Sequence, residues 1–137
     1  MNCSLLIVED DPDQLDRLAR RFSRIGYQVT AAHHPRQALA AAMLHPFQVA
    51  IVKHTLPEID GISLTSRLHA LRQNVQVIVL TSESDAVSKA RAAGALACLI
   101  KPCKQAVLEA TVEDLVESCV DETRLHAKPA VPILKEI

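Results

Sequence analysis

The sequence predicts an α/β fold: a doubly wound, five-stranded parallel sheet in the order 2-1-3-4-5, built as a single domain. Three observations lead there. Five short apolar runs are each followed by a stretch whose apolar residues recur at helical spacing. The alternation of the two patterns is strict, which implies parallel strands joined by helices lying on both faces of the sheet. Right-handed crossovers then leave few topologies, and 2-1-3-4-5 is a common five-stranded one.

Each element has its own justification. Leu5-Leu6-Ile7-Val8 is too brief for a helix and reads as a strand buried on both sides. Pro12 suits a first helical turn with Asp11 as N-cap, Leu15, Leu18, Ala19, Phe22 and Ile25 keep helical spacing, and Gly26 stops the helix. Tyr27 to Ala31 is the second strand. Pro35 opens a second helix through Ala38, Leu39, Ala42 and Met43, ended by His45-Pro46. Phe47 to Val52 is the third strand, and a third helix runs from about Ile62 to Arg72 with Asp60 as its cap. Val75 to Leu80 is the fourth strand, followed by a helix from about Asp85 to Ala93 that Gly94 ends. Ala95 to Ile100 is the fifth strand, and the last helix takes in Val107, Leu108, Val112, Leu115, Val116 and Cys119. Residues 1–120 form the domain. Residues 121–137, with Pro129 and Pro132, form a C-terminal tail compatible with a frayed helix end, a truncated linker or a docking arm.

Composition narrows the function classes. A length of 137 residues, 49% hydrophobic and 23% charged, suits one soluble globular core. Net charge of −1 gives no global attraction to nucleic acid or an anionic membrane. No apolar run approaches the roughly 18 residues of a membrane span, and no basic segment precedes the first strand as in a secretion signal. Cys3, Cys98, Cys103 and Cys119 lack metal-ligand spacing and read as reduced thiols of a cytoplasmic protein. Only 3 glycines leave little room for a phosphate-cradling loop.

In this topology chemistry sits beyond the carboxyl ends of the strands, at the switch point between the first and the third. The residues there are Glu9 and Asp10, Lys53, Thr81 and Lys101. Singly, each has a plain structural role: an acidic turn, a hydroxyl satisfying a strand end, an exposed loop lysine. Their joint position marks a site.

That joint pattern resembles the receiver domain of bacterial two-component response regulators, over about Leu5 to Ser118. The acidic pair of the family is matched by Glu9 and Asp10, its strand-end hydroxyl by Thr81, and its Lys-Pro by Lys101-Pro102. The loop after the third strand, usually D-x-x-L-P-x-x-D-G, reads Lys53-His54-Thr55-Leu56-Pro57-Glu58-Ile59-Asp60-Gly61. The resemblance implies a flavodoxin-like fold and a cis bond before Pro102. It also implies that position 53 is where an aspartate would accept a phosphoryl group from a histidine kinase. There the acids and that aspartate would bind Mg²⁺, and the threonine and lysine would hold the phosphoryl oxygens. Lys53 stands in that seat, and Cys98 stands where the family commonly has a switching aromatic.

The expectation is therefore a pseudo-receiver and not an enzyme: a signalling module working by protein contact without phosphorylation at the usual position. Lys53 is expected to lie against Glu9 or Asp10, with Lys101 nearby. Two carboxylates would then face two ammonium groups, leaving no metal site and Mg²⁺ binding lost or weak. The expected partners are a protein or second copy at the face spanning about 85–120, a histidine kinase or an output domain, with no direct nucleic acid and no membrane. Two alternatives are a receiver phosphorylated on another aspartate (Asp10 or Asp60) and a small flavodoxin-like enzyme. Against the enzyme stands the loop after the first strand, which offers three acids where a flavin phosphate would want Ser, Thr or Gly.

Overall fold

A computed structural model describes the backbone of residues 3–125 and the side chains of residues 3–117. Its strands are β1 (Ser4–Val8), β2 (Gln28–Ala32), β3 (Val49–Lys53), β4 (Gln76–Thr81) and β5 (Ala97–Ile100). The helices are α1 (Pro12–Ile25), α2 (Pro35–Leu44), α3 (Gly61–Leu71), α4 (Ala86–Ala92) and α5 (Gln105–Leu125). The sheet is entirely parallel, in the order β2-β1-β3-β4-β5. This is the topology the alternating pattern predicts.

Strand side chains alternate between faces, so each strand contributes to two cores. Leu6, Val8, Ala50, Val52, Val77 and Val79 pack under α2, α3 and α4, against Ala38, Leu64, Leu68 and Ala90. Leu5, Ile7, Val49, Ile51, Ile78 and Leu80 face the other way, onto Leu15 and Phe22 of α1 and Leu108, Val112 and Leu115 of α5. Burial on both faces explains why these strands read as continuous apolar runs.

The helix starts follow local chemistry. Asp11 Oδ1 accepts the Asp13 N–H at 3.0 Å, capping α1 just before Pro12. Asp60 Oδ1 accepts the Ser63 N–H at 2.8 Å and caps α3. His34 caps α2 through Nδ1, which accepts the Arg36 N–H at 3.0 Å. Gly26 ends α1 with φ of 124°, a conformation that side chains resist.

Several boundaries differ from the sequence reading. β3 extends to Lys53, because Lys53 continues the ladder opposite Leu80. β4 takes in Thr81, opposite Ile100. β5 begins at Ala97 and not Ala95, since the Ala95 N–H closes the turn onto Ala90 O at 3.0 Å. α5 continues past position 120 to Leu125, so the boundary expected at 120/121 falls inside a helix. The remainder of the expected tail, with Pro129 and Pro132, and the side chain of Cys119 lie outside the described residues.

Candidate functional site

The site forms where β1 and β3, adjacent in the sheet, send their connections to opposite faces. Glu9 follows β1 and is buried at 2% exposure, with its N–H donated to Ala32 O at 3.1 Å. Its Oε2 accepts the Asp11 N–H at 3.0 Å and also faces the Lys53 ammonium at 3.1 Å. Asp10 Oδ1 accepts from the same ammonium at 2.8 Å. Lys53 thus bridges both first-strand acids, where the sequence reading expected one of them.

The electrostatics follow from that geometry. The hydrogen bond from Lys53 holds the Asp10 carboxyl below its ordinary range, against an opposing push from partial burial. The hydrogen bond to Asp10 holds the Lys53 ammonium above its ordinary value, burial opposes it, and Glu9 adds to the rise. Lys53 is therefore held as a cation, the reverse of what an amine nucleophile requires.

Thr81 is 1% exposed, and its Oγ1 accepts the Glu83 N–H at 3.0 Å. The same oxygen lies 2.8 Å from His54 Nδ1. His54 is the residue sequence reasoning missed. Its backbone N–H donates to Leu80 O at 2.8 Å and its carbonyl accepts the Gly61 N–H at 2.7 Å, so the residue is fixed between β4 and the start of α3. The available signal was a histidine one step beyond the strand end of the site.

Gly61 is what allows the loop to return so closely. A Cβ there would collide with the Lys53 carbonyl and press on Val52, at 2.9 Å from its Cγ1. Within the loop Glu58 takes a left-handed φ of 70°, and its carboxylate lies 3.5 Å from both His34 and Arg36.

Lys101 follows β5, donates its backbone N–H to Thr81 O at 2.7 Å, and joins Pro102 through a cis peptide bond. Among the described residues its ammonium forms no ion pair. This corrects the expected cluster of two carboxylates facing two ammonium groups: the chain forms two carboxylates on one ammonium. Lys53 already takes the acids' oxygens, and Lys101 starts from β5, two strands away from β3. Cys98 is buried on β5 opposite Val79, in the core under α4. Asp60 spends its carboxylate on the α3 cap.

Residues 5–113 match the response regulator receiver domain family. The transcriptional regulatory protein ZraR of Escherichia coli (strain K12) is 32% identical over 114 residues, covering 82% of this chain and 26% of that protein. Sporulation initiation phosphotransferase F of Bacillus subtilis (strain 168) is 30% identical over 104 residues, covering 74% of this chain and 84% of that protein. The chain spans between 26% and 49% of the length of the first relatives it matches. A CheY-like receiver domain from Methanospirillum hungatei JF-1 superposes with a TM-score of 0.84 at 26% identity, covering 89% of this chain and 99% of that one. A Burkholderia pseudomallei response regulator, solved with a phosphorylated aspartic acid, calcium ion and citrate, does so with a TM-score of 0.74 at 28% identity. It covers 92% of this chain and 75% of that one. The parallel strand order agrees with this match over most of the length, and the protein belongs to the response regulator receiver domain family.

Proposed function

We propose that this chain is a pseudo-receiver: a receiver domain that signals by protein contact, with Lys53 seated where relatives carry a phosphate-accepting aspartate. The observation that carries the reading is the Lys53 ammonium, 2.8 Å from Asp10 and 3.1 Å from Glu9. Lysine has no carboxylate from which to form an acyl phosphate.

The donor set also does not fit Mg²⁺, which asks for oxygen ligands in near-octahedral geometry. Here two carboxylates enclose a cation that belongs to the chain, and a metal would have to displace it. Among the described residues no group of three His, Cys, Asp or Glu side chains is placed to hold a metal ion. The hydrogen bond between His54 and Thr81 adds a second restraint, on the hydroxyl that would otherwise meet a phosphoryl oxygen. Lys53 and His54, adjacent in sequence, thus tie down the acids on one side and the threonine on the other.

On this reading the output is a contact with a protein partner or a second copy through α4, β5 and α5, about residues 85–120, with a histidine kinase or output domain as candidates. A non-enzymatic role and a cytoplasmic location go with it. Among the described residues no helix is long and apolar enough to cross a membrane.

The test is incubation with a small acyl-phosphate donor and Mg²⁺, followed by intact mass. The expected wild-type spectrum is unchanged, whereas Lys53→Asp gains one phosphoryl group. A stable wild-type gain of one phosphoryl would instead support an acceptor elsewhere, such as Asp10.

A further inference from the structure

The outer side of α2 has no charged residue after Arg36: the helix continues Gln37-Ala38-Leu39-Ala40-Ala41-Ala42-Met43-Leu44. Ala38 and Ala42 face the core, so the opposite side is Ala40, Met43 and Leu44, with Met43 65% and Leu44 73% exposed. Leu71, at the end of α3, is 42% exposed. Arg72 joins the two helix ends: its Nε donates to Ala42 O at 2.9 Å and its Nη2 to Met43 O at 3.4 Å. The ends of α2 and α3 are therefore neighbours, and each carries exposed apolar side chains. Exposed apolar residues scattered singly need no explanation, whereas three large ones at adjoining helix ends make a candidate interaction surface.

The charge around the patch specifies the partner. Residues 35–49 and 61–75, which contain both helices, hold no Asp or Glu. They do hold Arg67, exposed on the same side of α3 as Leu71, and Arg72. Arg72 also covers the carbonyl end of α2, whose negative dipole would otherwise repel an acidic ligand. We infer that the α2–α3 face docks an amphipathic helix of a partner protein, with an apolar stripe on Met43, Leu44 and Leu71 and flanking acids on Arg67 and Arg72. Helix-in-groove recognition uses such a stripe, and methionine adapts to varied partners.

Two other occupants fit less well. A second copy presenting the same face would set arginines against arginines. An anionic membrane asks for a cluster of about 4–8 basic residues, and neither helix carries an aromatic anchor. The inference does not depend on whether Lys53 blocks phosphorylation, because no residue of that cluster takes part.

The test uses the full chain, ¹⁵N-labelled, and a synthetic helix of about 18 residues, five turns, with a leucine stripe flanked by glutamates. Its comparisons are the same peptide flanked by lysines, and phosphatidylserine–phosphatidylcholine vesicles. The glutamate peptide is expected to shift the amides of α2 and α3, with affinity that falls as salt is raised. Leu44→Glu is expected to weaken it roughly tenfold or more; the side chain is largely exposed, so the fold persists, and circular dichroism checks that. Ile25→Glu, an exposed apolar position on α1, is expected to leave binding unchanged. The proposal is overturned by no binding, by equal binding of the lysine peptide, or by shifts confined to α4, β5 and α5. Vesicle binding lost in Leu44→Glu, or self-association lost in that variant by analytical ultracentrifugation, also overturns it.

Discussion

At the scale of single residues, Lys53 holds the site together. Opposite charges ~4 Å apart gain roughly 4 kcal/mol at an effective dielectric of 20, before desolvation is subtracted. Asp10 is partly open to water and contributes less, whereas Glu9 is buried and depends on its partner. Lys53→Met is accordingly expected to cost about 1–3 kcal/mol in urea unfolding at neutral pH, leaving a buried carboxylate short of a donor. The cost should vary with pH in a defined way. Asp10 sits below its usual 3.8, so its share is present above that pH and is lost as the pH falls through its lowered pKa. Lys53 sits above its usual 10.5, so its share is present below that pH and is lost as the pH rises through its raised pKa. These two shares of the difference between wild type and Lys53→Met should therefore be full between 3.8 and 10.5 and shrink beyond either end; a difference flat with pH would show that the Lys53–Asp10 pair is not a source of it. The acids, Lys53, Thr81 and Lys101 were legible as strand-end residues, because strand ends in a parallel sheet converge. His54 was not, because its bond to Thr81 depends on the β3–β4 register and on which way the ring turns. The ion pairing expected of Lys101 is absent among the described residues for a related reason: proximity of strand ends does not fix which groups a long flexible side chain meets.

At the scale of elements, the loop from β3 to α3 sets the geometry. It returns to β3 at Gly61, where only hydrogen fits against the Lys53 carbonyl. Gly61→Ala is expected to cost about 1–3 kcal/mol, since the obstructing atoms are backbone and cannot swing aside. Chemical shifts of Lys53 and His54 should move with it, and a variant as stable as wild type with unchanged shifts would contradict the close approach. Asp60→Ala should cost about 1 kcal/mol through loss of the α3 cap, with the Lys53 contacts intact. Helix starts were readable from the sequence because caps are local: Asp11 before Pro12 and Asp60 before Gly61 act within three residues. Strand ends were less so. Lys53 and Thr81 belong to strands through ladder partners on other strands, which polarity alone argues against.

At the scale of the whole molecule, the pattern of apolar runs determined the topology because both faces of every inner strand must be covered. Two separate cores, one under α2, α3 and α4 and one under α1 and α5, meet at the sheet. What that pattern leaves open is whether the outer faces are covered, and the exposed end of α2 shows why: helical periodicity marks the buried side, and alanine, methionine and leucine opposite it look like more core. At the mouth of the sheet a cation built into the chain bridges Glu9 and Asp10, and on the proposed reading it leaves them no room for a metal. Titration of the ¹⁵N-labelled protein with Mg²⁺ tests it most directly, read at the amides of residues 9–11 and 53–54. Wild type is expected to show no saturable shifts in the millimolar range. Lys53→Asp is expected to show them and to gain about 1.4 kcal/mol of stability at ten times its dissociation constant. Saturable millimolar binding by the wild-type protein at Glu9 and Asp10 would contradict the account.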